Sequence, residues 1–239
     1  MVSRADTFKV KLFADGANLS GMIEMASKPF IAGLTTNPTL MKKAGIKNYE
    51  EFAKSALAAI KHLPISFEIF SDDIESMKKQ GEIIASWGEN VFVKIPITNT
   101  QGLSTKPVIS YLSRNGVKVN VTALMSVDQI THIIDALNPE VENYISIFAG
   151  RIADTGRNPI PIMNDCLELL KNNNKSELIW ASPREVFNIY QANEIGCHII
   201  TATNDILDKL VLKDKDLDEY SLETVQMFHR DAQTSGFSI

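Results

Sequence analysis

Short apolar runs rich in β-branched and aromatic residues alternate along this chain with longer stretches in which apolar residues recur every three or four positions. The short runs predict eight strands, near residues 10–15, 31–36, 65–70, 91–95, 117–122, 144–149, 178–182 and 197–201. The stretches between them, such as 126–137, predict amphipathic helices. Eight strand–helix units in 239 residues favour an α/β fold, a closed (β/α)8 TIM barrel, whose usual length is about 250 residues. An open doubly wound sheet is the alternative, although the chain lacks the G-x-G-x-x-G and Walker sequences typical of such sheets.

The end of the chain predicts one more helix, outside the eight units. A charged segment over residues 213–219 leads to Ser221, a residue type that favours helix N-caps, with Glu223 in the first turn. Four apolar positions then recur on one face: Leu222, Val225, Phe228 and Ala232. This face needs a covering surface, either the bottom of the barrel or a neighbouring subunit. We expect one domain over residues 1–239, with 213–239 as its C-terminal charged segment and helix.

Composition excludes several kinds of partner. The chain is 44% hydrophobic with a net charge of −5, and its basic residues are scattered among acidic ones. This pattern argues against nucleic acid and anionic membranes as partners. The start of the chain has no apolar signal core, and no apolar run is long enough to span a membrane. We therefore expect a cytoplasmic protein that acts on a small soluble substrate.

Cysteines and histidines indicate neither a disulfide framework nor a metal site. Cys166 and Cys197 are isolated, which favours reduced packing residues. The histidines lie far apart, without the spacing of metal ligands: His62, His132, His198 and His229. We therefore expect no metal.

A lysine interrupts the most apolar of the predicted strands. Lys94 lies in the run Val91-Phe92-Val93-Lys94-Ile95-Pro96-Ile97-Thr98. Burying an ammonium group is costly unless the group is paired or loses its proton, and desolvation favours the neutral amine that forms Schiff bases with carbonyl compounds. Lys94 is therefore a candidate nucleophile. The alternative is that its side chain extends to solvent at the end of the strand.

Alternation along the strands places polar side chains together. Successive side chains in a barrel strand point inward and outward in turn. We expect the unbroken aliphatic face of each strand to point outward, which on the seventh strand puts Ile179 and Ala181 outward and Trp180 inward. A set of polar residues then points inward near the C-terminal strand ends. Its members are Asp15, Thr35, Asn37, Glu68, Lys94, Asn120, Thr122, Ser146 and Ser182. Barrel enzymes build their active sites at this end.

Each member of this set also has a purely structural interpretation. Asp15 and Ser182 suit helix caps, Asn37 precedes a proline and suits a turn, and Thr122 favours a strand. As a set, however, these residues would bury many polar groups at one barrel end. Such burial costs free energy, so a cluster of this size is expected only where the protein uses it. We therefore interpret the set as a functional site.

The residue types indicate a reaction class. An amine, two carboxylates and several hydroxyl and amide groups suit Schiff-base catalysis on a polyhydroxylated carbonyl compound, in which a carboxylate removes a hydroxyl proton as a C–C bond breaks. Arg151 and Arg184 follow the sixth and seventh strands. Their guanidinium groups suit a terminal phosphate.

Six blocks around these residues resemble, in order, the signature blocks of the transaldolase family. They are Ala14-Asp15-Gly16-Ala17-Asn18, Leu34-Thr35-Thr36-Asn37-Pro38, Val93-Lys94-Ile95-Pro96, Asn120-Val121-Thr122-Ala123, Ser146-Ile147-Phe148-Ala149-Gly150-Arg151-Ile152 and Ala181-Ser182-Pro183-Arg184. The resemblance covers nearly the whole chain, and the short length resembles the small subfamily that includes the fructose-6-phosphate aldolases. It implies a barrel of the class I aldolase type with the Schiff-base lysine on the fourth strand, acting without a metal or cofactor.

The resemblance also implies a role for each matching residue. Lys94 forms the Schiff base, Asp15 is the acid/base at the hydroxyl next to the cleaved bond, and Glu68 and Thr122 hold the water that relays protons. The dihydroxyacetone unit is bound by Thr35, Asn37, Asn120 and Ser146, and the phosphate is bound by Arg151, Ser182 and Arg184. Two departures are Gly16, where many relatives have a larger or hydroxyl residue, and Pro183, which could shift the phosphate pocket.

The resemblance implies a transaldolase that moves a dihydroxyacetone unit between sugar phosphates. The alternatives are an aldolase that releases free dihydroxyacetone and a noncatalytic barrel that binds sugar phosphate. Phe148 is also counted among the substrate-binding residues. Aldolase relatives typically have glutamine and tyrosine at the positions of Glu68 and Phe148, so we expect the transferase. Small members of the family resemble rings of five or ten subunits, so we also expect a homo-oligomer.

Overall fold

A computed structural model describes residues 8–173 and 175–236. Eight parallel strands close a barrel in chain order, and each pairs with the next until β8 returns to β1. The strands are β1 (Lys11–Asp15), β2 (Ile31–Thr35), β3 (Ile65–Glu68), β4 (Val91–Pro96), β5 (Val119–Leu124), β6 (Asn143–Ile147), β7 (Ser176–Trp180) and β8 (Ile199–Ala202). Each predicted strand overlaps an observed one, so the predicted TIM barrel is confirmed.

Helices surround the barrel and follow its strands. They are α1 (Leu19–Ala26), α2 (Pro38–Lys43), α3 (Tyr49–Ala59), α4 (Ile74–Ala85), α5 (Lys106–Arg114), α6 (Val127–Ile133), α7 (Ala149–Asp154), α8 (Ile160–Leu170), α9 (Phe187–Glu194), α10 (Asn204–Leu207) and α11 (Leu217–Ser235). Polar side chains fix where several of these helices begin, because they accept hydrogen bonds from the free backbone N–H groups of the first turn. Ser126 and Gln129 form a capping box at α6, so the predicted 126–137 segment starts as expected and ends in a short 3-10 turn at Ile134–Ala136.

The barrel separates two apolar layers. Between strands and helices, aliphatic side chains such as Val93, Val121 and Ile145 are fully buried, as the alternation predicted for β1, β3, β4, β5 and β6. Inside the barrel lies a separate cluster of Phe13, Phe92, Tyr144, Ile179, Ala181 and Ile199. The rings of Phe92 and Tyr144 stack with their centroids 3.9 Å apart. This aromatic floor closes the barrel interior below the site.

On β7 the predicted orientation is wrong. Ile179 and Ala181 belong to the cluster inside the barrel, and Trp180 packs outward against the helices. The register explains the reversal, because Ile179 pairs with the inward residue Ser146 of β6 and paired residues share a face. Both faces of β7 are apolar, so alternation alone could not identify the inner one.

One expectation for the C-terminal segment is wrong, and one of the two alternatives for its apolar face is excluded. The side chain of Asp216 caps α11 by accepting the N–H of Glu219, so Ser221 lies inside the helix rather than at its N-cap. The barrel bottom does not cover the apolar face, since Leu222, Val225 and Phe228 are 57%, 60% and 62% exposed. Residues 237–239 of the predicted segment lie outside the described residues. Among the helices that are described, none combines the length and apolar character that a membrane crossing requires.

Candidate active site

A cavity of about 650 Å³ opens at the C-terminal end of the barrel. Eleven of the twelve predicted site residues line it: Asp15, Thr35, Asn37, Glu68, Lys94, Thr122, Ser146, Phe148, Arg151, Ser182 and Arg184. Asn120, the twelfth, is fully buried directly behind Ser146. Strands far apart in sequence therefore converge on one site, where a TIM barrel places its chemistry.

Lys94 lies at the centre of this cavity. It is 6% exposed, so its side chain does not extend to solvent and that alternative is wrong. Its Nζ donates to the carbonyl oxygen of Thr36 at 3.0 Å and lies 3.5 Å from a carboxylate oxygen of Glu68. The register pairs Glu68 with Lys94 and Lys94 with Asn120, which places these three at one level of the barrel. The amine is thus held in a buried position that faces the cavity.

Asp15 is held by neighbours on and beyond β2. One carboxylate oxygen accepts from the hydroxyl of Thr35 at 2.7 Å, and the other accepts from the amide of Asn37 at 3.3 Å. Asn37 also caps α2, so it serves the local turn and the site together. Asn18, not Asp15, caps α1, so the structural interpretation of Asp15 is wrong. Burial raises the pKa of Asp15, while the charge of Lys94 and these hydrogen bonds offset part of the rise.

Glu68 provides a second carboxyl group beside the same amine. Burial raises its pKa, the charge of Lys94 lowers it in part, and the charge of Asp15 raises it again. Desolvation therefore outweighs the 3.5 Å ion pair with Lys94. Two carboxyl groups with raised pKa values beside one amine are suited to accept and return protons during a reaction.

Polar side chains continue around β5 and β6. Asn120 accepts from the hydroxyl of Ser146 at 2.8 Å and donates to the hydroxyl of Ser66 at 2.9 Å. The hydroxyl of Thr122 is buried without a hydrogen-bond partner in the described part of the chain. Next to it, Ala123 has a φ of 63°, and the β5–β6 register shifts there. Strained backbone of this kind concentrates at functional sites, where bulges turn side chains toward a cavity.

The ends of β6 and β7 meet through a glycine. Ser182 has a φ of 57°, which turns the backbone after β7 and brings this residue into the cavity wall despite the reversed alternation of that strand. Gly150, in the first turn of α7, approaches Ser182 so closely that a Cβ there would lie 1.6 Å from the carbonyl oxygen of Ser182. Only glycine fits this position.

The two arginines differ in their surroundings. Arg184 forms a two-pronged ion pair with Asp154, with its Nε 2.9 Å from a carboxylate oxygen. Hydrogen bonds from Arg184 lower the pKa of Asp154. Within the described residues Arg151 forms no ion pair, and its guanidinium lies 5.6 Å from the centre of the Phe148 ring. Arg151 therefore has its donors available, whereas Arg184 is already engaged.

Comparison with known families gives a match over almost the whole chain. The family model described as transaldolase/fructose-6-phosphate aldolase matches residues 12–239. The chain belongs to this family. The resemblance predicted from the six sequence blocks is therefore confirmed.

Individual relatives are also similar to this chain over most of its length. A probable transaldolase from Sulfurihydrogenibium sp. (strain YO3AOP1) is 34% identical over 202 residues, which cover 84% of this chain and 88% of that protein. Probable transaldolase 2 of Listeria monocytogenes is 33% identical over 202 residues, with 84% and 88% covered. One from Methanococcus maripaludis (strain C7) is 32% identical over 202 residues, with 84% and 89% covered.

Solved structures with similar shape show the fold alone. A 2,3-dimethylmalate lyase matches with a TM-score of 0.53 at 12% identity, covering 99% of this chain and 90% of that one. KGPDC from Streptococcus mutans matches with a TM-score of 0.55 at 11% identity, covering 83% and 90%. At such low identity these neighbours say nothing about the reaction.

Sequence reasoning missed several residues that line this family member's cavity, including a threonine and an aspartate near the end of the barrel. Thr201 of β8 and Asp205 of α10 both line it. Alternation on β8 was the available signal for Thr201, since Ile200 and Ala202 pack outward and leave Thr201 inward. The predicted closed barrel makes β8 a neighbour of β1, but the register of that pairing, in which Thr201 pairs with Phe13, comes only from the structure.

Acidic, histidine and cysteine side chains do not gather elsewhere in a way that suits a metal. Across residues 8–173 and 175–236, no three of them cluster closely enough to hold an ion. Cys166 and Cys197 are free and buried, as expected, and burial raises the pKa of each thiol to about 12.

Proposed function

We propose that this protein is a transaldolase that transfers a dihydroxyacetone unit from a ketose phosphate to an aldose phosphate through a Schiff base on Lys94. The donor is fructose 6-phosphate or sedoheptulose 7-phosphate, and the acceptor is erythrose 4-phosphate or glyceraldehyde 3-phosphate. The observation that carries the proposal is the buried amine of Lys94, which faces the cavity beside Glu68 and Asp15. A buried lysine beside two carboxyl groups suits imine chemistry.

The first half of the reaction forms an imine. The neutral Nζ of Lys94 attacks C2 of the ketose, and the resulting carbinolamine loses water to give an iminium ion. Glu68 supplies and takes up the protons of these steps through a water molecule. The Thr122 hydroxyl supports this role, because it is buried near the cavity with no protein partner among the described residues.

The second half breaks a C–C bond. Asp15 removes the proton of the C4 hydroxyl, the C3–C4 electron pair moves into the iminium, and an aldose phosphate leaves. The dihydroxyacetone unit remains on Lys94 as an enamine, which then attacks the aldehyde of the acceptor as Asp15 returns its proton. Hydrolysis of the new iminium releases the product ketose and regenerates the amine.

Two groups of polar residues suit the two ends of the substrate. The dihydroxyacetone end is assigned to Thr35, Asn37, Asn120 and Ser146, with Asn120 orienting Ser146 from behind. The phosphate end is assigned to Arg151, Ser182 and Arg184. Because Arg184 is paired with Asp154 and Arg151 is not, Arg151 is the main phosphate ligand in this assignment. In this proposal the reaction uses no metal or cofactor.

Borohydride reduction tests the central step. With fructose 6-phosphate present, it should trap a stable adduct on Lys94, located by peptide mass spectrometry, and Lys94→Ala should abolish it. Lys43→Ala is the control, because Lys43 is exposed and lines the adjoining pocket rather than the cavity. Label on another lysine, or on none with any ketose, contradicts the proposal.

Turnover separates the enzyme from a barrel that only binds sugar phosphate. A noncatalytic relative is expected to have lost Lys94, Asp15 or Glu68, and this chain retains all three. An EDTA-treated sample should still transfer the unit between sugar phosphates. Binding of fructose 6-phosphate without turnover would favour the noncatalytic alternative.

The exposed apolar face of α11 supports assembly. Leu222, Val225 and Phe228 form a stripe on a helix that buries none of its described residues against its own barrel. Exposed apolar patches of this kind mark interaction surfaces. We propose a homo-oligomer, a pentamer or decamer, in which a second copy covers this stripe, and a cytoplasmic location.

Light scattering tests the assembly. Wild type should have several times the mass of one chain at micromolar concentration, and Phe228→Ser should reduce that mass. Glu223→Gln, a polar change on the same helix, should leave it unchanged. A wild-type monomer contradicts the proposal.

A further inference from the structure

The hydrogen bonds of Asp15 extend beyond β2 to the eighth strand. The Thr35 hydroxyl lies 2.7 Å from a carboxylate oxygen of Asp15 and 2.6 Å from the hydroxyl of Thr201. Thr201 is 5% exposed, lies on β8 and faces the cavity. β1 pairs with both β2 and β8, and Thr201 is paired by register with Phe13, two residues before Asp15. The three side chains are joined into a row by their hydrogen bonds.

Protonation fixes the direction of both hydrogen bonds. An ionised Asp15 has no hydrogen to give, so the single hydroxyl hydrogen of Thr35 points to Asp15. The 2.6 Å contact between Thr35 and Thr201 then uses the hydrogen of Thr201. Hydrogen bonds in a chain strengthen one another, so a hydroxyl that accepts is a better donor. Thr201 therefore strengthens the hydrogen bond that Thr35 donates to Asp15.

We propose that Thr201 is a positioning residue that keeps the Thr35 hydroxyl aimed at Asp15 and so stabilises the carboxylate form that removes the substrate proton. This inference rests on the proposed function, because that function makes Asp15 the base. When Asp15 has taken up the proton, its own O–H points to Thr35, and the Thr35 hydrogen turns to Thr201. This second arrangement lacks the charge-assisted hydrogen bond to a carboxylate, so the row favours the ionised form of Asp15.

Other charged groups also act on Asp15. Lys94 attracts its ionised form, and Glu68 disfavours it. The remaining charged side chains on the walls around it are Lys43 of α2, Arg151 of α7, Arg184 after β7 and Asp205 of α10. Replacing Thr201 by valine changes none of these charges, so it isolates the hydroxyl.

The pH dependence of kcat/KM for ketose phosphate cleavage tests the inference. Thr201→Val should move the acidic limb to higher pH, with a rate on that limb roughly threefold below wild type and a smaller change on the plateau. Thr201→Ser keeps the hydroxyl and should restore the wild-type limb. Thr203→Val is the matched control, because Thr203 lines the same cavity but forms no side-chain cap. Its acidic limb should coincide with that of wild type.

Two results overturn the inference while leaving the proposed function intact. One is that the acidic limb of the kcat/KM profile of Thr201→Val coincides with that of wild type. The other is an equal loss at every pH that Thr201→Ser does not restore, which indicates packing alone. If the valine variant does not fold, Thr201→Ala is measured instead. Borohydride trapping of wild type is run in parallel, and its failure overturns the inference together with the proposed function.

Discussion

The inside of the barrel has two adjacent layers with opposite chemistry. The lower layer is the aromatic floor, in which Phe92 stacks on Tyr144. Two residues further along the same strands, Lys94 and Ser146 form part of the polar layer at the mouth. A two-residue step along a strand keeps a side chain on the same face, so Lys94 lies above Phe92 and Ser146 lies above Tyr144. The floor excludes water beneath the polar layer, and this burial raises the pKa values of Asp15 and Glu68.

The largest expected effect comes from the polar layer. Glu68→Gln keeps the shape of the side chain and removes its ability to exchange protons, so transfer should fall about 10²- to 10⁴-fold. The thermal midpoint should hardly fall, because the change also removes a buried carboxylate. Steady-state kinetics and thermal melting check both parts. Nearly normal transfer by the glutamine variant would show that the proton relay does not use Glu68.

A change in the floor should affect stability first. Phe92→Ala leaves a cavity beside Tyr144 and should lower the free energy of unfolding by about 3–5 kcal/mol, as large-to-small changes in a core do. Below its melting temperature the variant should still form the Lys94 adduct. Urea unfolding and borohydride trapping measure the two layers separately. Loss of the adduct in a folded Phe92→Ala protein would show that the two layers do not act independently.

Asp15 and Asp154 should change the pH dependence of stability in opposite directions, because their pKa values are shifted in opposite directions. Burial raises the pKa of Asp15 above its unfolded value of ~3.9. The stability that Asp15 contributes is therefore present below that value and is lost as the pH rises through its folded pKa. Relative to wild type, Asp15→Asn should become more stable as the pH rises from about 4 toward neutral.

The control for this measurement is Asp154→Asn. Hydrogen bonds from Arg184 lower the pKa of Asp154, so its contribution is present above the unfolded pKa and is lost as the pH falls. Relative to wild type, this variant should become slightly less stable as the pH rises, and the effect is small because the pair is half exposed. Urea unfolding at several pH values gives both slopes. Equal slopes for the two variants contradict the assignment of burial as the cause.

The smallest expected effect concerns Phe148, the next inward residue after Ser146. Phe148→Tyr adds a hydroxyl above the polar layer and should raise the ratio of free dihydroxyacetone release to transfer by a few-fold, in line with one added hydrogen bond of about 1 kcal/mol. Assays with and without an aldose phosphate acceptor measure this ratio. Phe148→Leu, which adds no hydroxyl, is the control. Wild type that makes fructose 6-phosphate from free dihydroxyacetone faster than it transfers the unit would favour the aldolase alternative.

The sequence by itself determined the barrel, most of its inward faces and the family. Strand length, helical spacing and the alternation around Lys94, Glu68 and Asn120 are local properties, and local patterns are visible without the fold. The cluster of polar positions followed from them because parallel barrel strands all end at the same mouth. Eleven predicted site residues accordingly line one cavity.

Only the tertiary structure decided which residues become neighbours across the barrel. The structure gives β7 the opposite orientation to the predicted one. Both faces of this strand are apolar, and pairing with Ser146 makes Ile179 the inward residue. The structure also engaged Arg184 with Asp154, and it brought Thr201 of the last strand to Thr35 of the second. These outcomes depend on closure and register, which join residues that are distant in the chain, and alternation within one strand contains no information about its neighbours.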